Sequence, residues 1–315
     1  MSLSNSLRDY LSLRRSLGFK MKDAGKALPQ FVAFLGRQGV QSITAKLAVQ
    51  WAAEPQTAKQ GYRAQRLSMA RGFAKYLSGI DPHTEIPPPG ILPYGGNRRR
   101  RPHIYTEDEI RRLLKATMTT NVARQIRAKT FATLFGLLAV TGMRLSECLN
   151  LDDADVDLAE GVLTIRGTKW RKSRLVPIHS STVHKLALYR RQRNHLQPKR
   201  STLAFFILNN GNRPKVITAE KEFLRVARRI GLRGPPGTKG AYLHDFRHTF
   251  AVGTLVSWYR TGVDVERHMP QLSTYLGHSH VAYTYWYLSA EPELLQLAAT
   301  RLDNLKGVNS HEKQH

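Results

Sequence analysis

Cysteine is almost missing from this sequence: Cys148 is the only one in 315 residues. A lone thiol excludes an internal disulfide framework and a cysteine-built zinc site, and it fits a reducing cytoplasm. Long apolar runs are missing too. The longest, FATLFGLLAV at 131–140, falls short of the ~18 residues that suggest a membrane span and reads as a buried helix. The opening MSLSNSLRDYLSLRRSLGF has no uninterrupted apolar stretch of the secretory kind. There is no G-x-x-x-x-G-K phosphate loop and no repeat of solenoid period. Acidic residues are scarce, with 23 Asp+Glu against 49 Lys+Arg.

What is present follows from that imbalance. The formal net charge is +26 and the pI near 10.6. Such a surface repels itself unless a polyanion neutralises it, and a phosphate backbone is the commonest one. An anionic membrane would ask for a basic amphipathic helix or a lipidation signal, and the sequence offers neither. Hydrophobic residues make up 41%, as in ordinary globular proteins, and the length allows two domains with separate cores. These features predict a cytoplasmic, nucleoid-associated protein that binds nucleic acid.

The pattern along the chain is mainly α with a small β-sheet. Residues 1–80 carry helical spacing with glycine stops; the segment reads as a solvated bundle or as a helical clamp on a duplex. Residues 81–104, DPHTEIPPPGILPYGGNRRRRPHI, are rich in Pro and Gly and predict a linker. Its Arg98, Arg99, Arg100 and Arg101 could track phosphates or simply be solvated. A second, α+β domain is expected over 105–305. It opens with a capping box at Thr106, T-x-x-E. VLTIRG (162–167) and SRLVPI (173–178) alternate like strands around the turn TKWRK, a hairpin. LAFFILNNGNRP suggests a third strand or an apolar run beside that sheet, helices return from 218, and 306–315 reads as a flexible tail.

Several clusters carry chemistry. TGMRLSECLNL (141–151) puts Arg144 and Glu147 three apart on one helix face, so that the carboxylate can hold the guanidinium. LHDFRHTFAV (243–252) puts His244 and Arg247 on one face. His244 and His248 also have the i, i+4 spacing of zinc ligands, but the Glu of H-E-x-x-H is absent and an arginine beside the metal would repel it. No metal is expected. LGHSHVAYTYWYLSA (276–290) holds His278 with Tyr283, Tyr285 and Tyr287. Tyr283 and Tyr287 are one helical turn apart, and spacing alone does not choose between them. Trp286 and Tyr285 read as packing residues.

Taken together, these motifs resemble the tyrosine recombinase (phage integrase) family over residues ~105–300, with a weaker match of the helical N-terminal region to that family's core-binding domain. The resemblance identifies TGMRLSE with the first arginine motif (Arg144), the turn in GTKWRKSRLVP with the β-turn lysine (Lys169), HDFRH with the H-x-x-R box (His244, Arg247), LGHS with the second histidine (His278), and Tyr287 with the nucleophile nine residues on. Arg171 and Lys172 in the same turn join the linker arginines as candidate DNA contacts.

The resemblance implies an enzyme that cuts and rejoins double-stranded DNA through a 3′-phosphotyrosyl link, without cofactor, metal or ATP. The arginines and His278 would bind the phosphate, His244 would take the phenol proton, Lys169 would protonate the leaving oxygen, and Glu147 would orient the set. It also implies a homo-oligomer, a tetramer on DNA exchanging a C-terminal helix such as EPELLQLAATRLDNL, and in some relatives cooperation with sister recombinases. An extra N-terminal arm-binding domain is not expected. A DNA-binding protein without catalysis and a topoisomerase using the same chemistry are the alternatives.

Overall fold

The computed structural model describes residues 2–93, 101–119, 125–167, 173–290 and 292–311, with only the backbone described at 289, 290 and 302–311. Lys169, Arg171, Lys172, Arg98, Arg99 and Arg100 lie outside the described residues. The described residues divide into two compact units, one over 2–93 and one from 101 onward.

The first unit packs α1 (Leu3–Ser16), α2 (Ala24–Arg37), α3 (Ala45–Ala53) and α4 (Gln60–Leu77) around Leu28, Phe31, Leu35, Trp51 and Phe73. Thr44 caps α3 by accepting from Leu47 N, and Ser2 does the same for α1 at Asn5 N, satisfying donors a helix start leaves open. Arg66 stacks its guanidinium over Trp51, 3.9 Å from the ring centroid, and donates to the Trp51 carbonyl. The expected linker is not free at its beginning. Glu85 accepts from Ala45 N at 2.7 Å and its own N–H donates to Ile43, while Arg71 Nε donates to Pro87. A carboxylate at a helix start is favourable, and it folds residues 81–87 back onto their own bundle.

The second unit opens with α5 (Glu107–Met118), whose Thr106–Glu109 capping box forms in both directions. α6 (Gln125–Thr141) follows and is buried nearly all round, with Phe131, Leu134, Phe135, Leu137 and Leu138 in the core; a helix apolar on every side belongs in the middle of a domain. Next come α7 (Leu145–Leu149), β1 (Val156–Asp157), β2 (Val162–Ile165) and β3 (Arg174–Pro177). The sheet is antiparallel in the order β1-β2-β3, with Leu163 opposite both Val156 and Val176. Those three side chains face the core, as period-two alternation requires.

The apolar run at 204–207 forms no ladder. It meets Asp152 in an isolated bridge, and its backbone is satisfied by Leu151, by the buried Arg193 and by the Tyr189 hydroxyl. The third strand is instead the short β1. Around it the acidic run is paired: Asp152 with Arg213, Asp153 with Arg193 and Arg200, Asp155 with Arg166.

The remaining helices are α8 (Ser180–Leu196), α9 (Val216–Arg229), α10 (Asp245–Arg260), α11 (Val265–Leu276), α12 (Ala282–Ala290) and α13 (Pro292–His311). α13 packs on α10 and α12 of its own chain, burying Leu294 and pairing Glu293 with Arg260. Its backbone stays helical to His311, past 306 where a tail is expected; a single Gly307 costs a helix only about 1 kcal/mol relative to Ala. No helix among the described residues is long and apolar enough to cross a membrane.

Candidate active site

α11 ends in Gly277, whose φ of 69° puts it in the left-handed region, the usual way to stop a helix. The last carbonyls of a helix lack intrahelical partners and form its negative end. Here three in succession receive a guanidinium each. Arg174 Nε donates to Tyr275 O at 2.9 Å, Arg247 Nη2 to Leu276 O at 2.7 Å, and Arg144 Nη2 to Gly277 O at 3.0 Å. Arginines from β3, α10 and the start of α7 thus converge on one helix end.

Each is fixed from a second side. Arg247, buried near the start of α10, donates also to Gly142 O at 2.9 Å. Gly142 has φ 60°, and a Cβ there would lie 2.7 Å from the Phe250 ring, so only glycine suits this turn. Arg144 donates through Nη1 to Glu147 Oε1 at 2.8 Å, and its backbone N–H to Oε2 at 3.0 Å. Arg174 grips the same carboxylate with Nη2 on Oε2 at 2.8 Å and Nη1 on Oε1 at 3.2 Å. Burial pushes the Glu147 pKa up, but the hydrogen bond and charge of Arg174, then Arg144, bring it below the usual carboxylate value.

The aromatic side of the site comes from α12 and α10. Tyr287 is 3% exposed, its ring stacked near His278 (centroids 6.2 Å apart) and edge-on to His248 at 5.5 Å. Burial raises its pKa, and the charge of Arg247 partly opposes the rise. Tyr283 also touches His278 but is 53% exposed, and Tyr285 is exposed as well. Tyr285 is therefore not the packing residue its helix context suggests, whereas Trp286 does pack, against His248. His278 Nδ1 meets the Thr284 hydroxyl at 2.7 Å. Burial, then Arg247 and Arg144, draw the His278 pKa down to about 4. His244, at the start of α10, has its pKa lowered by loss of water and by Arg247. Burial also draws the Arg247 pKa down to about 10, against the pull of Tyr287.

The structure therefore brings Arg144, Glu147, Arg247, His278 and Tyr287 together, with His244 close enough to feel Arg247. Lys169 lies outside the described residues. His244 and His248 lie edge to face 5.1 Å apart, and no group of three His, Cys, Asp or Glu is placed to hold a metal among the described residues. Two members were not legible in the motifs: Arg174, which sits in a plain strand sequence, and Thr284, which reads as one more helix residue.

Residues 104–293, more than half of the chain, match the phage integrase family. The chain belongs to that family. Among its relatives, the Sinorhizobium fredii protein named "Putative integrase/recombinase y4rB" is 45% identical over 302 residues, covering 95% of this chain and 96% of the relative. A second from the same organism, y4rE, is 35% identical over 312 residues and 95% of each chain. The Tn1549 transposon integrase, solved in complex with transposon right end DNA, shares the fold at a TM-score of 0.65 and 14% identity, over 96% of this chain and 99% of that one. The phage integrase domain thus spans the β-hairpin, the arginine cluster and Tyr287.

Proposed function

We infer that this protein is a site-specific DNA recombinase that cleaves and rejoins strands through a 3′-phosphotyrosyl intermediate. The observation that supports the reading best is the gathering of Arg144, Arg247, His278 and Tyr287 at the end of α11. A phosphodiester resists attack because its anionic oxygens repel nucleophiles and its alkoxide leaves poorly. Guanidiniums fixed beforehand stabilise the extra charge of the pentavalent transition state, a preorganised donor being worth about 3–4 kcal/mol.

A tyrosine of ordinary pKa is only ~0.1% ionised at neutral pH, and burial makes the Tyr287 phenol less acidic still. It needs a base. His244, kept neutral by its surroundings, accepts that proton as Tyr287 Oη bonds to phosphorus. The bond from phosphorus to the 5′ oxygen breaks, and Lys169 supplies the proton that oxygen takes. His278 donates a hydrogen bond to the phosphate. Covalent storage of the cleaved end lets a 5′-hydroxyl of another strand attack in reverse, so rejoining consumes no ATP.

Apart from the catalytic chemistry, the N-terminal helical unit acts as a clamp on the duplex, aided by Arg98 to Arg101, Arg171 and Lys172, and the working assembly is a tetramer on the DNA of a mobile element. Wild-type protein on a nicked suicide duplex should form a covalent adduct in EDTA, and Tyr287→Phe should form none. An adduct in Tyr287→Phe rejects the nucleophile, loss in EDTA points to a metal-dependent nuclease, and plasmid relaxation without exchange between two sites points to a topoisomerase.

A further inference from the structure

The Glu147 carboxylate is shared unequally. Arg174 approaches it with two N–H groups, one to each oxygen, while the Arg144 side chain supplies one and turns its other nitrogen to Gly277. The Arg174 side chain is only 11% exposed and that of Arg144 38%. The inner guanidinium holds the carboxylate two-pronged; the outer one is the one a phosphate can reach.

The charges explain why two are needed. Glu147 fixes Arg144, accepting from its side chain and its backbone N–H, but a lone carboxylate against a lone guanidinium makes a neutral pair. Such a pair attracts an anion weakly, since the opposite charges act over nearly the same distance. With Arg174 present, the trio carries a net positive charge on its exposed side. We propose that Arg174 is a positioning residue whose charge occupies the Glu147 carboxylate and so leaves the charge of Arg144 available to the scissile phosphate. The proposal rests on the recombinase reading of this site.

The surroundings are shaped for this guanidinium. Its Nε is tied to Tyr275 O, and a Cβ at position 277 would stand 2.6 Å from Nη1, so the glycine that ends α11 also makes room for Arg174. Of the groups that lower the Glu147 pKa against the upward push of burial, Arg174 ranks ahead of Arg144. A plain structural tie between β3 and α11 would not need a carboxylate between two arginines.

Charge and tie can be separated. Arg174→Lys keeps the charge and loses the fork; Arg174→Gln keeps a polar side chain and loses the charge. Adduct formation on the nicked duplex is followed in single turnover at saturating protein, beside duplex affinity and melting temperature. Arg174→Gln should be slower by about tenfold or more with affinity nearly unchanged, and Arg174→Lys should stay within about threefold of wild type. The double variant Arg174→Gln/Glu147→Gln, with both charges gone, should be faster than Arg174→Gln but short of wild type, since the carboxylate that fixes Arg144 is lost with the charge. A wild-type rate in Arg174→Gln, a lysine variant no better than the glutamine one, or a double variant no faster than Arg174→Gln overturns the proposal. Should Arg174→Gln fail to fold, Arg174→Lys decides: a tenfold loss there also overturns it. If wild type makes no adduct, it is the recombinase reading that fails.

Discussion

The hydroxyl of Thr284 is fully buried and lies 2.7 Å from His278 Nδ1. Either group can donate in this bond; a His278 that offers its Nε2 hydrogen to the phosphate, as in the recombinase reading, accepts from the hydroxyl at Nδ1. His278 is then held as the tautomer with hydrogen on Nε2, a neutral donor. Thr284→Val should let the ring change tautomer, visible in nitrogen NMR shifts of His278, and should slow adduct formation by about tenfold. Thr284→Ser should restore both.

The same histidine predicts a pH dependence of stability. Its pKa in the fold is about 4, against about 6.5 for a free imidazole. Between those values the unfolded chain binds a proton that the folded one does not, so stability falls as pH drops from about 6.5 and levels off near 4. His244 acts in the same direction. Urea midpoints across this range should fall with pH, and His278→Gln should flatten the slope.

Three neighbouring tyrosines differ sharply in exposure, Tyr287 being buried and Tyr283 and Tyr285 open. Brief nitration of the protein alone should modify Tyr283 and Tyr285 and spare Tyr287, as read by peptide mass. Equal labelling of all three would mean that α12 does not hold the phenol inside.

Gly142 sits at φ 60°, where a methyl group would press on the ring of Phe250. Gly142→Ala should cost about 2 kcal/mol or more in chemical denaturation. Its carbonyl also anchors Arg247, so adduct formation should fall with it.

Much of this was readable in advance where the signal is local. The hairpin follows from alternation in VLTI and RLVP, α5 from the Thr106 box, and α6 from an apolar run too short for a membrane. The Arg144–Glu147 pair follows from helical spacing. What was not readable depends on partners far away in sequence. Nothing in RLVP shows that Arg174 meets a carboxylate 27 residues earlier and a carbonyl 101 residues later. The run at 204–207 has strand composition, but side chains from α8 satisfy its backbone, an option no local pattern reveals. Residues 81–87 look like linker from their prolines, yet one carboxylate, Glu85, returns them to α3.

The carbonyls of Tyr275, Leu276 and Gly277 are rigidly spaced by the peptide geometry of one helix terminus, and each carries a different arginine. Tyr287 stands only ten residues beyond, at the far side of a short turn. Cations and phenol therefore share one abutment: a displacement of α11 would strain all three arginine–carbonyl contacts at once, because the guanidiniums are also anchored on Glu147 and Gly142. Substitutions that tilt this helix, however remote from the arginines in sequence, should act on the site as a unit rather than residue by residue.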